Sequence, residues 1–449
     1  MNRSRPRQMK KIRMRILFGV FAAAFAFSAA AAGEPQPEGG AQTPPDGAGP
    51  TMLSEAFSPR GLARARMAAF QDLLDEAAAT DDFVGLAVAV VRGGEVDFIR
   101  TWGAREAGGA APVTPDTVFR VGSLSKGFAA ALAAQAMAEG RLAPDAALAD
   151  YAPAFRLKGG AERAVNVAHV LSHRVGLPPN AYDNLLEAGL APQDILPRFR
   201  RVDPVCGVGT CYAYQNIAFN LIADVLSAVY GAPYEALARE RLFAPLGMTR
   251  ASLGRAALEA AGDWARPHVR DPIEDDMQGE GRGGAAARAF GPWRTVEISD
   301  AYYRTPAAGG VNASITDMAR WLIAQMGGAP HVLPAEALAI MQAPRVETKA
   351  ELRRWGFLAD RLEAAHYGFG WRIYQYAGET VVAHSGSVEG YGAQIAFLPD
   401  RDVGLVVLAN TRARRVWRIL PAFLDIEFGL DERDWLLLEE EDAFNAPAR

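Results

Sequence analysis

Strand-like segments stand near both ends of this chain with helical segments between them, and no other property of the sequence narrows the fold so far. Val84 to Arg92 is an apolar, β-branched run, Gly93-Gly94 is a tight-turn signal, and Val96 to Gly103 reads as the returning arm of a hairpin. Far downstream, Gly370 to Tyr376, Thr380 to Ser385, Gln394 to Leu398 and Val403 to Leu408 read as short strands separated by turn residues. Leu62 to Ala79 reads as an amphipathic helix before the first group, and Trp417 to Phe428 as a helix after the second, kinked at Pro421. Between the groups, helical patterns cover Ser123 to Glu139 (ended by Gly140), Ala168 to Ser172, Pro192 to Leu196, Asn216 to Tyr230, Tyr234 to Phe243 and Ile315 to Met326. The expected fold is mixed α/β (α+β): an antiparallel sheet built from both ends of the chain, flanked by helices, with an all-helical insert over about residues 141–310. Asp271 to Thr305, rich in glycine and charge, reads as a long loop or insertion.

The termini read differently from this body. Arg3, Arg5, Arg7, Lys10, Lys11, Arg13 and Arg15 precede an apolar segment from Ile16 to about Phe27 and a small-residue tract ending Ala30-Ala31-Ala32. That order predicts a secretory signal over residues 1–32, hence a periplasmic or secreted protein with no stable membrane anchor once the signal is cleaved. An uncleaved anchor is the weaker reading, because the apolar run is short and alanine-rich for a spanning helix. Residues 33–54 have the Pro, Gly and polar composition of a disordered linker, and residues 430–449 read as a surface tail with an acidic cluster at Glu439 to Asp442. Residues 55–429 remain as a body with ample apolar content for a large core.

The formal net charge is -5, and the first 32 residues hold basic but no acidic side chains, so the processed chain is more negative still. Such a body argues against nucleic acid and anionic membrane surfaces as partners. The two cysteines, Cys206 and Cys211, enclose a four-residue loop. In an oxidising compartment they read as one disulfide, and otherwise as two free thiols.

Chemistry concentrates in three places. Val121-Gly-Ser-Leu-Ser-Lys126 opens the alanine-rich helix, and residues three apart share a helix face, so the Ser123 hydroxyl and Lys126 amine can meet. Serine needs a neighbouring base to become a nucleophile, and lysine is that base only when burial or positive charge lowers its pKa. Tyr214-Gln-Asn216, at a helix entrance, offers a phenol that can relay a proton and an amide that can hold a substrate carbonyl; alone it equally describes a core tyrosine and a cap. Ala383-His-Ser-Gly-Ser387 ends an expected strand, where Gly386 permits close backbone approach and the Ser387 amide can face a developing oxyanion. His169 and His173 lack the Glu of a His-Glu-x-x-His zinc motif, and no Gly-x-Ser-x-Gly nucleophile elbow occurs. Neither a metal nor an organic cofactor is expected.

In that chain order the three segments resemble the serine β-lactamase and penicillin-binding peptidase superfamily, on the class C side, where the second element is Tyr-x-Asn. Further segments carry the likeness: Val170-Leu-Ser-His-Arg-Val-Gly-Leu-Pro178 (Val175 standing where the family usually has Ser), Leu242 to Thr249, Ala308 to Ser314, Tyr367 to Trp371, and Gly390 through Asn410. The resemblance implies a β-lactamase/transpeptidase-like fold and a serine hydrolase of the class C β-lactamase, D,D-carboxypeptidase or esterase type, with a small-molecule or peptide substrate. It casts Ser123 as the acylated nucleophile, Lys126 as its proton acceptor and Tyr214 as partner or alternative base. Asn216, His384 and Gly386 fall among its substrate-binding positions, and the amides of Ser123 and Ser387 form its oxyanion hole. His384 stands where the lactamases carry the Lys of Lys-Thr-Gly, and a histidine is cationic only below a pKa of roughly 6.5 when unperturbed. Peptidase, amidase or esterase activity is therefore expected ahead of efficient β-lactam hydrolysis, with His384 giving anionic substrates a pH dependence that neutral ones lack. The alternative is a catalytically inactive peptidoglycan- or lactam-binding sensor; such proteins usually lose the Lys or the Tyr, and this chain keeps both.

Overall fold

The computed structural model describes residues 59–272, 290–431 and 433–438; the expected signal, the linker and the acidic end of the tail lie outside the described residues, as do residues 273–289 of the Asp271 to Thr305 loop. The two terminal groups of strands form one antiparallel sheet of eight strands. In chain order these are β1 (Gly85–Arg92), β2 (Glu95–Gly103), β3 (Val346–Glu347), β4 (Leu362–Tyr367), β5 (Arg372–Tyr376), β6 (Glu379–Val388), β7 (Tyr391–Leu398) and β8 (Val403–Ala409). Their order across the sheet is β2-β1-β8-β7-β6-β5-β4-β3, so the first strand of the chain lies beside the last, with Leu86 opposite Ala409 and Arg92 opposite Val403.

The apolar run of β1 reflects burial on both faces. Ala87, Ala89 and Val91 face one core and Leu86, Val88 and Val90 the other, so on this strand only the terminal Arg92 meets water. On one face lie helices α1 (Pro59–Ala78) and α5 (Ile419–Phe428), joined through an edge-on Phe70–Phe423 contact at 5.1 Å. On the other lie α2 (Ser125–Ala138), α3 (Asn216–Tyr230) and α4 (Ile315–Gln325). Helix α2 is buried almost throughout, which explains its alanines: small side chains let neighbours approach on every side. Gly127 lies against Trp371 and Trp321, and Gly370, at φ 72°, sits where a Cβ would come within 2.6 Å of the Lys126 carbonyl.

Four expectations change. The insert is not all helical: Ser252–Leu253 joins Phe119–Arg120 and Val311–Ala313 in a small sheet, and His268–Val269 pairs with Arg294–Thr295. Strand β6 runs on to Val388, so His384 and Gly386 lie within a strand and not at its end. Pro421 falls in the first turn of α5, where an N–H has no intrahelical acceptor, so the expected kink has no hydrogen bond to break. The segment after Leu430 is no surface tail where it is described: Trp435 and Leu436 are buried, the Trp435 indole donates to Asp425, and Arg415 Nε donates to the Leu436 carbonyl at 2.7 Å. Strands β3 and β4 had no clear alternation to announce them. Among the described residues no single helix is long and apolar enough to cross a membrane.

Candidate active site

Ser123 sits in a single 3-10 turn, Gly122–Leu124, that leads directly into α2. The turn is held by Ser125, whose hydroxyl donates to the Gly122 carbonyl at 2.6 Å and accepts from the Val311 amide at 3.0 Å. It also presses backbone to backbone on β6. Gly122 has φ 53°, and a Cβ there would meet the Ser387 nitrogen at 2.9 Å; a Cβ on Gly386 would lie 2.0 Å from the Val121 carbonyl oxygen. The turn fits there because β5 pairs only with the first half of β6, Glu379 to Ala383, and leaves the rest of that edge open. The two glycines thus bring the Ser387 nitrogen close against the turn that carries Ser123, at the start of a buried helix whose N-terminal dipole favours negative charge.

Gly386 therefore acts by lacking a side chain; it faces Val121, and its neighbours Ser385 and Ser387 line the cleft in its place. Gly386→Ala should push the Ser123 turn off β6. The expected result is a loss of about 10²–10³-fold in acylation rate with a destabilisation of about 1–3 kcal/mol. Stopped-flow acylation and thermal unfolding measure the two effects, and a wild-type acylation rate in the variant rules out the close-packed arrangement.

Lys126 reaches back from the first turn of α2. Its Nζ lies 3.2 Å from Ser123 Oγ, donates to Asn216 Oδ1 at 2.7 Å and to the Ala308 carbonyl at 2.9 Å, and is fully buried. Burial holds its pKa well below the ordinary lysine value; the nearby Asp183 carboxylate opposes that shift and Arg372 adds to it. The Tyr214 ring lies 4.7 Å from Lys126 Nζ, and burial pushes its phenol up to about 12, with Arg372 and the neighbouring Ser123 hydroxyl opposing. The structure thus brings Ser123, Lys126 and Tyr214 together from distant parts of the chain.

The expected disulfide and the His173 segment together place Tyr214. His173, buried at φ 57°, accepts from the Gln215 amide at its Nδ1 (3.1 Å) and from the Ala213 amide at its carbonyl (2.9 Å), with its ring 4.2 Å from that of Tyr214. Cys206 and Cys211 are disulfide-bonded, and their loop is tied to the same segment: Val205 donates to the Gly176 carbonyl and Gly209 to the Arg174 carbonyl. The family-like His173 segment and the cysteine loop form one support beneath the phenol.

Asn216 and His384 differ from expectation. The Asn216 amide nitrogen donates to Asp183 Oδ2 at 2.6 Å and lies 3.4 Å from Asn180 Oδ1, so it is engaged within the protein instead of being open to a substrate carbonyl. His384 is buried, with Nδ1 donating to the Ser385 carbonyl at 2.9 Å and Nε2 accepting from the Tyr367 hydroxyl at 3.0 Å. Burial, reinforced by Arg372 and Lys126, holds its pKa well below the usual histidine value, so it is neutral and satisfied. The expected titrating cation at position 384 is corrected: the cations of this cleft are arginines. Arg372 (β5), ion-paired to Glu351 at 3.3 Å with its guanidinium carbon 5.6 Å from the Tyr214 ring, lines the cleft of about 780 Å³ together with Arg412, Arg414 and Arg418. Arg372 could have been suspected as a charge inside a strand pattern; Asp183 had no sequence signal.

Known proteins share this fold. The family model described as Beta-lactamase matches residues 70–422. Penicillin-binding protein 4 of Amycolatopsis lactamdurans is 27% identical over 343 residues, covering 73% of this chain and 80% of that protein. Among solved structures, the octameric penicillin-binding protein homologue from Pyrococcus abyssi shares the fold with a TM-score of 0.66 at 23% identity, over 84% of this chain and 79% of that one. A class C beta-lactamase does so with a TM-score of 0.61 at 22% identity, over 82% and 98%. With more than half its length matched by the family model and its sheet and helices arranged as in those structures, the chain belongs to the beta-lactamase family.

Proposed function

We propose that this protein is an exported serine hydrolase that works through a Ser123 acyl-enzyme on amide or ester substrates carrying a carboxylate. The observation that carries the reading is the 3.2 Å approach of a buried, pKa-lowered Lys126 amine to the Ser123 hydroxyl. In the proposed cycle neutral Lys126 takes the Ser123 proton as Oγ attacks the carbonyl carbon, and the Ser123 and Ser387 amides stabilise the oxyanion. The protonated Lys126–Tyr214 pair returns a proton to the leaving group, and water then cleaves the Ser123 ester. Tyr214, held protonated by its raised pKa, supports a relay in preference to a base. Arg372 beside the Tyr214 ring places a permanent cation where the leaving group departs, which favours a leaving group with a carboxylate. Export rests on the order of charge and hydropathy over residues 1–32.

Intact-mass measurement after exposure to a fluorophosphonate and to a penicillin tests the acyl-enzyme: a mass shift mapped to Ser123 is expected. Saturable binding of D-alanyl peptides with no shift and no turnover would instead favour the inactive sensor. The pH dependence follows from the arginines. A His384 cation would fade as pH rises through its pKa, whereas a guanidinium stays charged. The ratio of kcat/KM for a carboxylated ester to that for its neutral analogue should therefore stay flat between about pH 7 and 9; a steep fall in that ratio would restore the histidine.

A further inference from the structure

The wall of the cleft beside Asn216 offers an acceptor in place of the expected donor. Asp183 lines the cleft and is 8% exposed; its Oδ2 takes the Asn216 amide, and its Oδ1 is buried with no hydrogen-bond partner. A carboxylate oxygen left without a donor away from water is costly, and such an atom in a cleft points to a ligand that supplies the donor. The groups facing Asp183 are Lys126, Asn216, Asn180, the Tyr302 phenol and the Glu187 carboxylate, the last already receiving Tyr302 Oη at 2.7 Å. Lys126 is the one cation among these, and the acyl-transfer cycle requires it to be neutral when substrate is bound. At that stage Asp183 faces two amides, a phenol and a second carboxylate. Burial raises its pKa to about 6, with Asn216, Lys126 and Tyr302 opposing and Glu187 adding, so once Lys126 is neutral a cation brought by the ligand is what would hold it ionised.

Arg372 stands 5.6 Å from the ring of Tyr214, which the proposed cycle uses to return the proton to the leaving group, whereas Asp183 holds Asn216, from the helical region of the chain. We infer that Asp183 is a specificity-determining residue that receives an ammonium group on the acyl part of the substrate, so that the cleft selects short peptides or esters with a free amino group; this rests on the acyl-enzyme reading above. An ammonium supplies the missing donor to Oδ1 and neutralises the carboxylate when Lys126 cannot.

Calorimetric titration of full-length Ser123→Ala protein with alanyl-alanine and with its N-acetyl derivative, each in the D and L configurations, tests this without turnover. At about pH 7.5 the better-bound free-amine dipeptide should bind about tenfold or more tightly than its acetylated form. That preference should shrink to within about twofold in Ser123→Ala/Asp183→Asn, survive in Ser123→Ala/Asp183→Glu, and fade as pH drops through about 6, where Asp183 protonates. A folding defect would weaken both ligands together and leave their ratio unchanged. Equal or tighter binding of the acetylated form, a preference that survives Asp183→Asn, or no binding of any dipeptide overturns the inference. Failure of wild-type Ser123 to label, with the amine preference intact, would instead overturn the acyl-enzyme reading alone.

Discussion

Ser123→Ala should lower kcat/KM by about 10⁴-fold or more and abolish covalent labelling, while leaving the protein folded. The expected size of the loss follows from what the oxygen does: it forms the bond on which both halves of the cycle depend, and no other hydroxyl replaces it. The neighbouring Ser125 hydroxyl already donates to the Gly122 carbonyl and accepts from Val311, and it is fully buried. The small structural effect follows from Lys126, which keeps Asn216 Oδ1 and the Ala308 carbonyl as acceptors when Ser123 Oγ is gone. Stability should change by no more than about 1 kcal/mol. Steady-state kinetics, intact mass and a melting curve on the same preparation check all three. Residual labelling at another serine would dismiss Ser123 as the nucleophile.

Lys126→Met should cost about 10³–10⁴-fold in kcat/KM and flatten its acid limb, whereas Tyr214→Phe should cost about 10²-fold and keep that limb. The sign comes from the charge states. The lysine accepts a proton only as the neutral amine, so activity rises as pH rises through its pKa, which burial and Arg372 bring well below the ordinary lysine value against the pull of Asp183. The tyrosine, raised to about 12, contributes as a phenol across the neutral range and adds no acid limb. Methionine matches the length of the lysine stem but offers no proton acceptor. Profiles of kcat/KM from about pH 5 to 10 on one neutral ester read the contrast. The opposite pattern, with the limb lost in Tyr214→Phe and kept in Lys126→Met, would transfer the base to tyrosine.

Much of this was legible beforehand, for reasons that differ from element to element. The pairing of the two terminal strand groups could be read because β1 and β8 are short, apolar and bounded by turns, and buried strands have few other partners to choose. The Ser123–Lys126 encounter could be read because three-residue spacing is a local property of a helical turn. What escaped depends on tertiary detail. Whether His384 is a cation turns on Tyr367 and the Ser385 carbonyl taking both ring nitrogens, and half of that arrangement comes from a strand that gave no alternating pattern. Whether Asn216 is free turns on Asp183, a residue from another helix with no motif around it. Composition likewise hid Trp435 and Leu436, because a short apolar run in a charged segment does not reveal that it packs back on the core.

The adjacency of β1 and β8 constrains how such a molecule comes into being. The hairpin at the start of the body cannot gain its inner neighbour until the far end of the polypeptide has left the ribosome, since Leu86 waits for Ala409. Contacts so distant along the chain make assembly slow and leave the early strands uncovered throughout synthesis. A nascent chain of this topology cannot close its sheet until nearly all of it has been made.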